Sequence, residues 1–75
     1  MRRRKSRYDI TFTAPEEQTS VVVHSTQNPD EATVLFALEL QRLLADRARG
    51  ELAILRKTAR DANPAVVLRQ AVTSP

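Results

Sequence analysis

Few residues in this 75-residue chain could perform catalysis. His24 and Ser25 place a base beside a hydroxyl group, which is the minimal pair for nucleophilic catalysis. If both residues lie in a strand, their side chains point to opposite faces and cannot meet. Two acidic pairs, at 16–17 and 30–31, fit a solvated loop and the positive end of a helix dipole. We therefore predict that the protein is not an enzyme.

The composition also argues against metal and cofactor sites. The chain has no cysteine, one histidine and one glycine. Structural zinc sites need several cysteine or histidine ligands, and a phosphate-binding loop needs several glycines. We expect no metal and no cofactor. Because a domain of this size buries a small core and has no disulfide, we expect a partner subunit to stabilise it.

Basic residues are the better candidates for function, and they are concentrated at the N-terminus. Five of the 12 lysines and arginines lie within residues 1–7. The other seven are outnumbered by nine acidic residues, so residues 8–75 carry a net charge of −2. Like charges repel, which predicts a flexible basic arm at 1–7 and a single small domain at 8–75. The arm is either a binding segment or a solubility tail.

The first part of the domain has the pattern of a β-hairpin. Residues 8–13 alternate between apolar and polar side chains, and 19–25 contain a second set of β-branched residues. The polar segment between them contains Pro15 and is short enough to connect antiparallel neighbours. We predict an antiparallel hairpin, which must pack on another element to be stable.

A helix is predicted to start at Asn28-Pro29. Asparagine is a favourable N-cap, and proline at the first helical position loses no needed donor. Apolar residues then recur in alternating steps of four and three, which is the ~3.5-residue period of a coiled coil. This period continues across Gly50, so we predict one helix over 29–62, with a helical hairpin turning at Gly50 as the alternative. The predicted homodimer interface consists of Val34, Leu38, Gln41, Ala45, Ala48, Leu52 and Leu55.

A second Asn-Pro pair, Asn63-Pro64, ends this helix and predicts a short C-terminal helix over 64–72. The expected fold is therefore α+β: an N-terminal antiparallel hairpin, a long amphipathic helix and a short helix. The longest apolar run, Val34 to Leu38, is much shorter than the ~20 residues of a membrane span. No secretory signal follows the basic start. We expect a cytoplasmic protein without membrane contact.

On a continuous helix, arginines at every seventh residue would form a row beside the dimer interface. Such a row, with the arm, could follow the phosphates of DNA or RNA. Alternatively, the row makes ion pairs between subunits. The predicted nucleic-acid-binding residues are Arg2, Arg3, Arg4, Lys5, Arg7, Arg42, Arg49, Arg56, Lys57 and Arg60.

The predicted function is a small nucleic-acid-associated regulatory protein. The alternative is a protein-binding adaptor or inhibitor that docks on a larger machine such as a polymerase, because the hairpin edge and the apolar helix also suit a protein partner.

Overall fold

The computed structural model describes residues 6–17, 19–58 and 63–73. These residues form a four-stranded antiparallel sheet with one helix packed on one face. The elements are β1 (Arg7–Thr13), β2 (Val21–Thr26), α1 (Pro29–Ala45), β3 (Gly50–Lys57) and β4 (Ala65–Val72). The strand order is β2-β1-β3-β4, so the chain leaves the edge strand β2, passes through α1 and returns to the sheet beside β1.

The predicted fold, a hairpin followed only by helices, is wrong. The predicted strands correspond to β1 and β2, which pair antiparallel from Tyr8 opposite Thr26 to Phe12 opposite Val21. The helix that begins at Pro29 stops at Ala45, and residues 50–57 of the predicted long helix form β3. The predicted C-terminal helix is β4. Along the chain, α1 therefore lies between β1 and β2 on one side and β3 and β4 on the other.

The end of α1 is set by hydrogen bonds rather than by the glycine. The amide of Ala48 donates to the carbonyl of Leu43 at 2.9 Å, and that of Arg47 donates to Leu44 at 3.1 Å. With Arg47 at a φ of 57°, this is a Schellman motif, which satisfies the last free carbonyls of a helix. Glycine or asparagine usually occupies this left-handed position, so an arginine there gives no sequence signal.

β3 is a central strand of the sheet, and it has apolar residues on both of its faces. It pairs with β1 from Arg7 opposite Lys57 to Thr13 opposite Glu51, and with β4 on its other edge. Leu52 and Ile54 face α1, while Ala53 and Leu55 alternate to the opposite face. A segment that is apolar on both sides fits a central strand as well as a buried helix.

The core lies between α1 and the sheet. Ile10, Leu52 and Val72 are fully buried there, and Phe36 of α1 packs against them. The helix has two apolar stripes with the same four-three-four spacing. The stripe that faces the sheet is Ala32, Phe36, Glu39 and Leu43. The stripe that we assigned to a dimer interface is displaced by two residues and lies on the outer face.

Candidate nucleic-acid interface

The strand register brings distant basic residues to one end of the sheet. Arg7 is opposite Lys57, and Tyr8 is opposite Arg56. β1 begins at Arg7, so the first residues of the chain join the sheet at this same end. The predicted arm residues Arg2, Arg3, Arg4 and Lys5 lie outside the described residues. We call the set Arg7, Arg56 and Lys57 the basic end.

The three cations of the basic end differ in how far their charge is neutralised. Arg7 pairs with Asp9 through a contact of 3.1 Å, and Asp9 also accepts a hydrogen bond from Ser25. Arg56 and Lys57 are exposed, and no acidic side chain in the described part of the chain pairs with either. Arg56 and Lys57 are therefore the cations at this end whose charge is available to an anionic ligand.

The arginine row predicted on a continuous helix does not form. Arg42 lies on α1, where Glu39 and Asp46 both bind its guanidinium group. Arg49 lies at the opposite end of the sheet from Arg56, in a shallow depression that it shares with Glu17 and Glu51. Arg60 falls outside the described residues. Arginines that are seven residues apart form a row only if all of them lie on one continuous helix.

The predicted dimer interface is likewise divided between elements. Its first four members, Val34, Leu38, Gln41 and Ala45, share the exposed outer face of α1. Ala48 is partly buried in the loop after the helix, and Leu55 is partly buried in β3. Leu52 is fully buried in the core, so it cannot belong to a surface formed by α1.

One charged cluster was missed by the sequence interpretation. Glu39 is buried, with its carboxylate in contact with Arg42 and 3.2 Å from Nε2 of His24 on β2. The hydrogen bond from Arg42 is the main reason why the pKa of Glu39 lies below its ordinary value of 4.5. Burial acts in the opposite direction, and His24 adds a further lowering. The signal was available, because Glu39 is in phase with Ala32 and Phe36.

We expect Glu39→Gln to lower the free energy of unfolding by about 1 kcal/mol at neutral pH, because it removes a charged hydrogen bond partner of Arg42 and His24. A lowered folded-state pKa means that the ionised carboxylate stabilises the folded chain. This stabilisation is complete above pH 4.5 and is lost as the pH falls through the folded pKa. Urea unfolding at a series of decreasing pH values, followed by circular dichroism, should show the stabilities of the variant and the wild type converging as the pH falls below 4.5.

Asp46→Asn is the matched control for this cluster. It removes the other acidic partner of Arg42, but both side chains of that pair are largely exposed. We expect a loss below about 0.5 kcal/mol. A pH-independent difference between Glu39→Gln and the wild type would contradict the assigned role of Glu39.

The aromatic side chains do not offer a surface for base stacking. Tyr8 and Phe12 are each two residues from the core residue Ile10 along β1, so they share its face and pack against the core on the side of α1. The other face of the sheet carries no aromatic residue within the described strands. Single-stranded nucleic acids are commonly bound by stacking on exposed aromatic rings, so this arrangement favours contacts to phosphates.

His24 and Ser25 have separate partners, Glu39 and Asp9, on opposite faces of β2. Over the described ranges, no three histidine, cysteine or acidic side chains are grouped closely enough to hold a metal ion. The one helix in that part of the structure is too short and too polar to cross a membrane. Comparisons of the chain with protein-family models, with curated proteins and with solved structures find no match.

Proposed function

We propose that this chain is a small, non-enzymatic nucleic-acid-associated protein that binds phosphates with its basic arm and its basic end. The single observation that supports the proposal is the register of β1 and β3. It brings the exposed Arg56 and Lys57 to the end of the sheet where residues 1–6 join β1. The basic N-terminal segment thus joins the sheet at the end that carries Arg56 and Lys57, and strand pairing fixes the positions of these two cations.

The expected mechanism is electrostatic and weakly selective for sequence. Each phosphate that a lysine or arginine neutralises releases condensed counterions, which makes the affinity depend steeply on salt. The rest of the domain adds little, because residues 8–75 carry a net negative charge. Because the described strands expose no aromatic ring on the face away from α1, we expect contacts to the backbone of a duplex rather than stacking on single strands.

The test is a salt titration of duplex DNA binding, beginning at about 50 mM salt, where phosphate contacts are strong. We expect the double substitution Arg56→Ala and Lys57→Ala to reduce the slope of log affinity against log salt by about 2, since each phosphate contact contributes ~0.9. Removal of residues 1–5 should reduce the slope further. Fluorescence anisotropy with a labelled duplex, and with a single strand of the same length, measures both effects.

The matched control is Arg47→Ala with Arg49→Ala. These are two exposed cations at the other end of the sheet, beyond the end of α1. We expect the control to leave the slope unchanged. Equal effects of both pairs would indicate attraction by net charge alone, and the absence of binding at about 50 mM salt would overturn the proposal.

A protein-binding adaptor or inhibitor is the second candidate function. The outer face of α1 favours it, because Val34 and Leu38 each remain 57% exposed there. Large apolar side chains that are grouped on a surface often mark a contact with another protein. Failure of the duplex to bind in the salt titration would make this the leading function.

A further inference from the structure

β4 is an edge strand, and its last part, from Leu68 to Val72, is regular and lacks the usual protection of such strands. The whole strand is eight residues long, and its other edge is paired with β3. Val66, Val67 and Leu68 are 49%, 53% and 43% exposed. Natural edge strands are commonly protected by charges, proline, a β-bulge or a covering element, because unpaired amides and carbonyls bind other strands. β4 has an irregularity of this kind only at Val67, between Leu68 opposite Ile54 and Val66 opposite Leu55. Arg69, the one charged residue of β4, already contacts Glu51 of β3 at 3.4 Å.

The helix leaves the region above β4 partly uncovered. α1 packs mainly on β1, β2 and β3, and least on β4. Glu39 contacts β2 through His24. Leu44 of α1 is 46% exposed. Leu68 is on the α1 face of the sheet, since it is opposite Ile54 of the core.

The residue pattern of β4 suits antiparallel pairing with itself. Residues opposite each other across two antiparallel strands share one face, so a symmetric pair must be centred on a residue. The alternation of β4 is interrupted at Val67, which has no partner in β3 between Leu68 and Val66, so a regular pair can form only along Leu68 to Val72. Centring that pair on Gln70 places Arg69 opposite the uncharged Ala71. Only centring on Arg69 would oppose two like charges. In the favourable register Leu68 faces Val72 of the other strand.

We infer that the edge of β4 binds the β4 edge of a second copy of this chain, joining two sheets into one of eight strands. The two helices then lie on the same face, and Leu68 of both copies is covered between them. Such an interface uses the same surface twice and closes as a dimer. Pairing of β4 with β2 would use two different surfaces and continue into filaments. β2 is also shorter, and its second half is polar.

Light scattering after size-exclusion chromatography, at about 50 µM chain and without nucleic acid, tests this dimer. We expect the wild type to be a dimer. Leu68→Lys should raise the dissociation constant about a hundredfold or more, because it buries two unpaired charges in the interface. A monomeric wild type at this concentration would overturn the inference, and so would filaments or mixed oligomers.

Two controls carry the same substitution at other exposed apolar positions. Val22→Lys lies on β2, and Leu38→Lys lies on the outer face of α1. Both should remain dimeric. If Leu38→Lys separates the subunits and Leu68→Lys does not, the interface is the outer face of α1 and β4 is not involved. If Val22→Lys alone separates them, β2 forms the interface.

A measurement on the wild type avoids the risk that Leu68→Lys fails to fold. Amide hydrogen exchange of residues 68–72 should slow as the chain concentration rises, because the outward amides of β4 become hydrogen-bonded in the dimer. The amides of β2 should show no such dependence. Exchange in β4 that is independent of concentration, while the mass changes from monomer to dimer, would refute this edge as the interface.

Discussion

Leu52→Ala is expected to lower the free energy of unfolding by about 3 kcal/mol, most of the stability of so small a domain. Leu52 is fully buried in the central strand β3, and it belongs to the core cluster with Ile10 and Phe36. Removing its methyl groups loses transfer free energy and leaves a cavity between α1 and the sheet. Urea unfolding followed by circular dichroism measures the loss.

Leu38→Ala is the control, since Leu38 is 57% exposed on the outer face of α1. We expect its effect to stay within about 0.5 kcal/mol. In a continuous coiled-coil helix, Leu38 and Leu52 would be equivalent members of one interface, and the two substitutions would cost similar amounts. Similar losses would therefore contradict the sheet.

Gly50→Ala is expected to destabilise the chain by about 3 kcal/mol. Gly50 has a φ of +156°, which side chains rarely adopt, and it begins β3 beside the end of β1. An added Cβ would meet the backbone carbonyl of Thr13 and would lie 2.6 Å from Cζ of Phe12. The aromatic ring could shift, but the carbonyl belongs to the paired strand and cannot move without loss of register.

The sign of this effect separates the two structural interpretations. If Gly50 lay inside a helix, alanine would stabilise the chain by about 1 kcal/mol. The reverse exchange Ala37→Gly, at an exposed position in the middle of α1, calibrates the helical value and should cost about 1 kcal/mol. Thermal unfolding of both variants gives the comparison, and a stabilising Gly50→Ala would refute the backbone geometry at the start of β3.

The two Asn-Pro pairs show where sequence interpretation succeeds and where it fails. The first one starts α1 as predicted, with the side chain of Asn28 accepting hydrogen bonds from the amides of Asp30 at 2.9 Å and Glu31 at 3.3 Å. The second one precedes a strand. Acidic residues that favour a helix start follow Pro29, whereas β-branched Val66 and Val67 follow Pro64. The residues after the pair therefore mattered more than the pair itself.

The candidate nucleic-acid interface was predicted only in part. Charge counting along the chain was enough to identify the basic arm, because it needs no structure. The grouping of Arg7 with Arg56 and Lys57 depends on the pairing of β1 with β3, residues about fifty positions apart in sequence. The predicted companions Arg42 and Arg49 lie elsewhere, because their spacing was interpreted with a helical period that ends at Ala45.

Local chemistry in the sequence alone determined the start of α1, the alternation of β1 and the separation of the basic arm from an acidic body. Tertiary structure alone decided which of two equally spaced stripes of α1 faces the core, and whether residues 50–57 are helix or strand. Judged by local sequence, either stripe of α1 could face the core, and the apolar pattern of residues 50–57 fits a helix as well as a strand. The choice depends on strand pairing between distant segments, which buries Leu52 and Ile54 against α1 and leaves Val34 and Leu38 exposed.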